Sequence, residues 1–197
     1  MRTRMLLLLG AGVLSAGLLA AQDKGQDKKK LDVEIEVPFV PTPQKVVDKM
    51  LELAAVKDGQ TVYDLGCGDG RIVITAVKQF KAGKGLGVDF NPERLKDCDK
   101  SMSDAMLSPD QRMKLTFKQG DVLKMSPEDF KDVDVVTLYL LPEVNLKLKP
   151  VLQKGLKNGA RVVSHAFDMG DWAPDKTVTV PDADGFERTV HLWTVKK

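Results

Sequence analysis

Asp64, Gly66, Gly68 and Gly70 stand at every second position of the stretch YDLGCGDGR, residues 63–71. Glycine at this density weakens any regular element, because each one surrenders more chain entropy on ordering than a residue with a side chain. Such a stretch belongs where something must approach the main chain closely. The carboxylate of Asp64 selects the partner, since it repels a pyrophosphate and attracts an ammonium. Two phosphate-binding glycine loops are excluded on spacing. The dinucleotide fingerprint needs a third glycine where Arg71 stands, or where Val73 stands if the reading starts at Gly68, and the nucleoside-triphosphate loop needs a Gly-Lys-Ser/Thr ending that is absent. The chemistry indicated is capture of a phosphate-free ligand that carries a positive group.

Other residues able to do chemistry follow apolar runs. Asp89 lies in LGVDF (86–90), Asp121 ends KLTFKQGD (114–121), and Tyr139 and Glu143 come at and just beyond the end of VDVVTLYLL (133–141), with Asn145 and His165 further on. Each has a plain structural role open to it. Asp89 can cap a helix at Asn91, Tyr139 can fill the core with its hydroxyl at the rim, and Glu143 can be a first-turn acid favoured by the helix dipole. His165 can be a hydrogen-bonded core histidine. Cys67 and Cys98 are too few for a disulfide framework and read as reduced thiols. No cysteine or histidine pair has metal-ligand spacing, so no metal is expected. The formal net charge is +2 with lysines spread along the chain, which lacks the basic face of a nucleic-acid binder.

The elements that must position these residues are legible from periodicity. Val46, Val47, Met50, Leu51 and Ala54 recur at helical spacing and predict a helix over 43–56, entered through the stiff, proline-rich PFVPTP (38–43). TVYDLG (61–66) predicts a strand and RIVITAVKQF a helix. LGVDF predicts a second strand, and Asn91-Pro92-Glu93 starts a helix to about Leu107. Residues 114–121 give a third strand, Ser126 caps a short helix, 133–141 a long fourth strand, and PEVNLKLKPVLQKGL a helix interrupted by Pro150. KNGARVVSHAF gives a turn and a fifth strand, and DKTVTV and ERTVHLWTV close the chain as a hairpin. The alternation predicts an α/β fold: a Rossmann-like sheet, mostly parallel, with a C-terminal antiparallel pair and helices on both faces. Such sheets bind ligands at the carboxyl ends of their strands, which is where the glycine loop falls.

DLGCGDG resembles the first motif of class I S-adenosylmethionine-dependent methyltransferases, whose fold has seven strands. The resemblance implies that the glycine loop passes under the methionine and ribose portions, with Asp64 near the charged amino end and Cys67 inside the loop. It implies that Asp89, 19 positions after Gly70, accepts the ribose hydroxyls, that Asp121 reads the adenine amino group, and that Phe90 and Val122 beside these acids line the same site. PFVPTP, YDLGCGDGRIVI, TLYLLPEVN and VVSHAFDMGDW together resemble a narrower group, over roughly residues 38–172. That group joins small bacterial methyltransferases to mitochondrial protein lysine methyltransferases that modify the ATP synthase c subunit and the adenine nucleotide translocase. It implies that Thr42 contacts the cofactor; the alternative is that Thr42 caps the helix beginning at Pro43. Tyr139 and Glu143 are the candidate catalytic residues at the methyl-transfer end. The Asp/Asn-Pro-Pro-aromatic motif of nucleic-acid amino-methyltransferases is absent, its place being taken by Tyr139-Leu140-Leu141-Pro142.

The expected activity is N-methylation of a protein lysine, with a membrane protein as one acceptor class; methylation of a small molecule differs only in the acceptor. The N-terminus adds a tension. Two arginines precede the uncharged run from Leu6 to Ala21, and QDKGQDKKK follows it. That pattern fits a secretory signal peptide or a short membrane anchor, so the expected organisation is 1–21 leader or anchor, 22–36 charged linker, and 37–197 methyltransferase domain. An active enzyme is expected to be membrane-associated with its domain on the cytoplasmic side, where its cofactor is found. An exported chain would instead be a binding protein that keeps the fold without turnover. Nothing in the sequence speaks to oligomeric state.

Overall fold

The computed structural model describes residues 39–197. The expected leader at 1–21 and the charged linker at 22–36 lie outside the described residues. The described chain runs α1 (Gln44–Leu53), β1 (Thr61–Leu65), α2 (Arg71–Lys78), β2 (Lys84–Asp89), α3 (Pro92–Asp104), α4 (Pro109–Met113), β3 (Leu115–Gln119), β4 (Val135–Leu138), α5 (Pro142–Gly155), β5 (Arg161–His165), β6 (Lys176–Pro181) and β7 (Glu187–Thr194). Two 3₁₀ turns, Val122–Lys124 and Pro127–Phe130, lie between β3 and β4.

Seven strands form one sheet in the order β3-β2-β1-β4-β5-β7-β6. β1 pairs in parallel with both β2 and β4, so the direction in which strands are added reverses between β1 and β4. β7 runs antiparallel to β5 and β6 and closes the expected terminal hairpin. One face buries Val46, Val47, Met50 and Leu51 of α1 with Ile72, Val73 and Val77 of α2. The other buries Leu148 and Leu152 of α5 with Phe130, Met169 and Trp193. Helices therefore cover both faces, and the sheet core cannot slip without exposing one layer. Trp193 Nε1 donates to the Trp172 carbonyl at 2.6 Å, which satisfies the one polar atom of the largest core side chain.

Three local expectations are corrected. The fourth strand ends at Leu138 rather than Leu141: Leu138 is the last residue paired to β1 and β5, and β1 turns away at Gly66, where φ is 78°. The apolar run 139–141 continues past the sheet into the crevice at its carboxyl edge. Pro150 does not interrupt α5, which is continuous from Pro142 to Gly155. The carbonyl that loses its helical partner belongs to Leu146, and both residues lie on the exposed side, where water can serve it. The helix foreseen to about Leu107 ends at Asp104, and an unforeseen helix follows it: Ser108 caps α4 with a full capping box, its side chain bonding Gln111 N and Gln111 reaching back.

Candidate functional site

The strand order reverses between β1 and β4, and in such sheets the ligand crevice lies beyond the carboxyl ends of the strands at that point, here β1, β2 and β4. Asp64 sits in β1 with 1% of its surface exposed. Register places it opposite Thr137 of β4, whose hydroxyl donates to Oδ1 at 2.8 Å. Oδ2 is buried and has no partner. Burial first, and the charges of Asp89 and Asp69 after it, push this carboxyl up to about 7, against the lowering effect of the Thr137 bond. A buried acid with one oxygen unpaired is a poor stability element and a good receptor for an ammonium.

The loop beyond β1 is built by backbone and acid together. Gly66 N and Cys67 N both donate to Val88 O, at 2.8 and 3.0 Å, and Gly70 N donates to Cys67 O at 2.8 Å. Gly66, Gly68 and Gly70 have φ of 78°, 54° and 77°, a region that favours glycine. The close approach expected at these glycines is made first by the protein itself. A Cβ at Gly66 would meet Leu140, one at Gly68 would meet Phe39, and one at Gly70 would lie 2.5 Å from Phe117. Loop main chain is thus packed under Leu140 and Phe39, with Asp64 Oδ2 buried and unpaired beside it.

Asp89 closes β2 and is half-buried. Its Oδ2 accepts from Gly68 N at 2.9 Å and its Oδ1 from Asn91 N at 3.0 Å, so one carboxylate ties the glycine loop to the start of α3. Asn91, not Asp89, caps that helix, accepting from Glu93 N at 2.9 Å. Each Asp89 oxygen has used one acceptor position and has a second to offer another donor. Phe90 beside it is 64% exposed, an apolar surface with no protein partner covering most of it. Asp121 accepts from Leu123 N at 2.9 Å and starts the first 3₁₀ turn, while Val122 packs on the α5-side core.

Not every expected residue faces the crevice. Cys67 turns its thiol inward, 4.0 Å from that of Cys98, and only its main chain belongs to the loop. The contact with Cys98, then burial, push the Cys67 thiol upward, and both cysteines are free and buried. Thr42 does not cap α1; its hydroxyl lies 3.2 Å from His165 Nδ1, and its carbonyl accepts from Arg71 Nη1 at 3.0 Å. Glu143 is exposed in the first turn of α5, where an acid suits the helix dipole. Tyr139 is half-buried at the end of β4, its ring 3.9 Å from that of His165 and 6.4 Å from that of Phe167. Asn145, on α5, donates to Ser164 Oγ and to the carbonyls of Phe167 and Asp168, all at 3.3 Å.

Three participants were not foreseen. Thr137 reads as one more β-branched residue until the register sets it beside Asp64. Phe39 packs on Gly68 and carries Arg94 above its ring at 4.6 Å, a cation–π contact between segments far apart in sequence. Leu140 covers Gly66 and could have been suspected only from the apolar run outlasting its strand. Among the described residues no cluster of His, Cys, Asp and Glu could hold a metal ion.

An ammonium-bearing ligand with a ribose fits this donor and acceptor set: an unpaired buried carboxylate at Asp64, a half-exposed carboxylate at Asp89, and a free aromatic face at Phe90. Comparison with known proteins agrees. Residues 64–176 match the model of the ANTKMT methyltransferase domain. A protein-lysine N-methyltransferase of Saccharolobus islandicus is 42% identical over 159 residues, covering 81% of this chain and 94% of that protein. The adenine nucleotide translocase lysine N-methyltransferase of Mus musculus is 32% identical over 74% of this chain, which spans 60% of its length. A crystal structure described as an RNA methyltransferase from Salinibacter ruber, in complex with S-adenosyl-L-homocysteine, is 46% identical with a TM-score of 0.69, over 80% of this chain and 95% of that one. The chain therefore belongs to the ANTKMT methyltransferase domain family and is an S-adenosylmethionine-dependent methyltransferase.

Proposed function

We propose that the acceptor is the side-chain amine of a protein lysine. The observation that carries this reading is the surplus of carboxylates around a crevice that has no added lid domain among the described residues. Arg71 is matched by Asp69 and Lys149 by Asp171, whereas Asp64, Asp89, Glu143 and Asp168 have no cationic partner within the described residues. Such a field draws in a cation and repels a phosphodiester backbone. The 42% identity to a relative named as a protein-lysine enzyme supports the same acceptor. Between β5 and β6 only the loop 166–175 intervenes, so a protruding side chain can reach Tyr139 without passing an added domain.

We assign Asp64 to the cofactor ammonium, Asp89 to the ribose hydroxyls, and Phe90, Asp121 and Val122 to the adenine end, with Thr42 and the loop Gly66–Gly70 beside the methionine portion. S-adenosylmethionine supplies a methyl group on a sulfonium, open to direct displacement. The chain has to bring in the amine, strip its proton and aim its lone pair. A free lysine has a pKa of about 10.4, and the apolar walls of Leu140 and Phe167 disfavour its charged form. Tyr139 orients the neutral amine through its hydroxyl or ring. Alignment of this kind is worth about 7–11 kcal/mol of a displacement barrier.

The apolar run Leu6–Ala21 supports attachment to a membrane and hence a membrane protein as acceptor, and the need for a cytoplasmic cofactor argues for the catalytic unit on that face. The test is incubation of the full chain with methyl-labelled cofactor and a membrane extract. A nuclease-resistant protein band that yields methyl-lysine on hydrolysis is expected. Label found only in small solutes, or lost with nuclease, would replace the lysine reading. A fusion reporter active only outside the cytoplasm would remove the proposed orientation.

A further inference from the structure

We infer that His165 is a positioning residue for methyl transfer, holding the Tyr139 ring and the Thr42 segment in register across the crevice. This rests on the reading of the β4 end as the acceptor site. His165 closes β5 and is 1% exposed. Its ring lies 3.9 Å from that of Tyr139 at an interplanar angle of 31°. Its Nδ1 lies 3.2 Å from Thr42 Oγ1. Thr42 in turn belongs to the segment whose Phe39 covers Gly68 and whose Thr42 carbonyl is held by Arg71. One imidazole therefore touches both the tyrosine that faces the acceptor and the segment that covers the cofactor loop.

Its second nitrogen argues against a filling role. Nε2 is buried with no partner among the described residues. An apolar side chain of similar size would fill this place without burying an unpaired nitrogen. Buried N–H groups go unpaired less often than buried acceptors, so the proton sits on Nδ1 and is donated to Thr42 Oγ1. The ring is neutral at ordinary pH, because burial, and the Arg188 charge after it, lower it to about 4.

The backbone beside it is strained in a way that serves the same geometry. Phe167 N donates to His165 O at 2.9 Å, closing a three-residue turn around Ala166, whose φ is 67°. A non-glycine residue stays in that region only where its surroundings over-determine it. Asn145 provides that constraint from α5 through the Phe167 and Asp168 carbonyls. The turn sets Phe167 at 18° to the Tyr139 ring, so the strained segment and His165 both fix the same phenol.

Two substitutions separate the ring from the hydrogen bond. His165→Asn keeps a donor near the place of Nδ1 and removes the ring; His165→Phe keeps a ring and removes the donor. The full chain and both variants are assayed with methyl-labelled cofactor on the protein fraction that the unsubstituted chain labels, with cofactor affinity measured by calorimetry. His165→Asn is expected to lower kcat about tenfold or more, with acceptor KM and cofactor Kd within about threefold. His165→Phe is expected to hold kcat within about threefold and to weaken cofactor binding several-fold through Thr42. Lowered melting temperature with unchanged kcat and Kd in both variants marks a merely structural residue and overturns the inference. If either variant fails to fold, His165→Gln takes its place, keeping a side-chain donor and removing the ring: a kcat about tenfold lower with cofactor Kd within about threefold supports the inference, and an unchanged kcat overturns it. No labelled protein with the unsubstituted chain would count against the lysine acceptor alone, and the cofactor calorimetry of His165→Phe would still decide whether His165 holds the Thr42 segment.

Discussion

Thr137 donates to one oxygen of Asp64 at 2.8 Å and leaves the other buried and unpaired. Two neighbouring parallel strands thus pair one oxygen of this carboxylate and leave the other without a partner. The arrangement costs stability in the free protein, and the proposed cofactor ammonium is the group that would relieve it. Asp64→Asn keeps the shape and the Thr137 contact but removes the charge. It is expected to weaken S-adenosylmethionine binding about ten- to hundredfold, the worth of a charged hydrogen bond at about 1.5–3 kcal/mol. Calorimetry on the folded variant measures this, and an unchanged affinity would move the ammonium site elsewhere.

The same carboxyl makes binding and stability depend on pH in opposite senses. Its pKa rises from 3.8 to about 7 on folding, with burial the leading cause. Between those values the folded chain holds more protons than the unfolded one, so this group's contribution to stability is full below pH 3.8 and is lost as pH rises through about 7. Cofactor affinity runs the other way, since the ammonium needs the ionised acid. Titration from pH 6 to 8 is expected to tighten binding in the unsubstituted chain and leave Asp64→Asn flat. Parallel slopes in the two proteins would assign the titration to another group.

Asp89 offers a second test because its oxygens hold Gly68 N and Asn91 N at once. Asp89→Ala releases the glycine loop and removes the acceptors assigned to the ribose diol. Cofactor binding is expected to fall at least about tenfold and stability by about 1–3 kcal/mol, the cost of leaving two N–H groups without their acceptor. Calorimetry and chemical denaturation separate the two. Full affinity in a less stable variant would leave Asp89 with the loop and take the ribose from it.

How far the sequence spoke depends on the range over which each interaction acts. The alternation of strands and helices, the terminal hairpin and the Asp64–Gly70 loop depend on local periodicity and on glycine chemistry, and they were legible. Thr137, Phe39 and Leu140 were not, because each matters through a neighbour supplied by another element: Thr137 through strand register, Phe39 through Gly68 and Arg94, Leu140 through Gly66. The glycines illustrate the limit. That something must approach their main chain closely was readable from spacing, yet what fills the space beside them is decided by packing. Pro150 misled for a related reason: helix-breaking is a local rule, and exposure of the Leu146 side removes much of its force.

Gly68→Ala brings the packing claim to a measurable form. At φ 54° the added Cβ is strained, and it meets the Phe39 ring. The single variant is expected to lose about 1–3 kcal/mol of stability and most cofactor affinity. Removing the ring as well, in the double variant with Phe39→Ala, relieves the collision and leaves only the backbone strain. A double-mutant cycle by chemical denaturation is expected to give a favourable coupling of about 0.5–3 kcal/mol, as for residues in contact. Additive losses would show that Phe39 does not rest on this glycine in solution.

Tyr139 and Glu143 both entered as candidates for the acceptor end, Tyr139 as the first choice and Glu143 with the role of a first-turn helix acid favoured, and their surroundings differ accordingly. Glu143 is exposed in the first turn of α5, where the dipole alone accounts for an acid. Tyr139 is fixed between the crevice and two aromatic neighbours, at 3.9 Å from His165 and 6.4 Å from Phe167. Tyr139→Phe keeps those ring contacts and deletes only the hydroxyl. If that hydroxyl orients the amine, kcat for protein methylation falls about ten- to hundredfold, the scale of a misaligned nucleophile, while cofactor Kd stays put. Glu143→Gln is expected to change kcat less than about twofold and to cost a few tenths of a kcal/mol of stability through the lost dipole interaction. A large kcat loss in Glu143→Gln together with an active Tyr139→Phe would exchange the two roles. If instead Tyr139→Phe is fully active and Tyr139→Ala is not, the ring face rather than the hydroxyl meets the amine, as a cation–π contact with the arriving lysine.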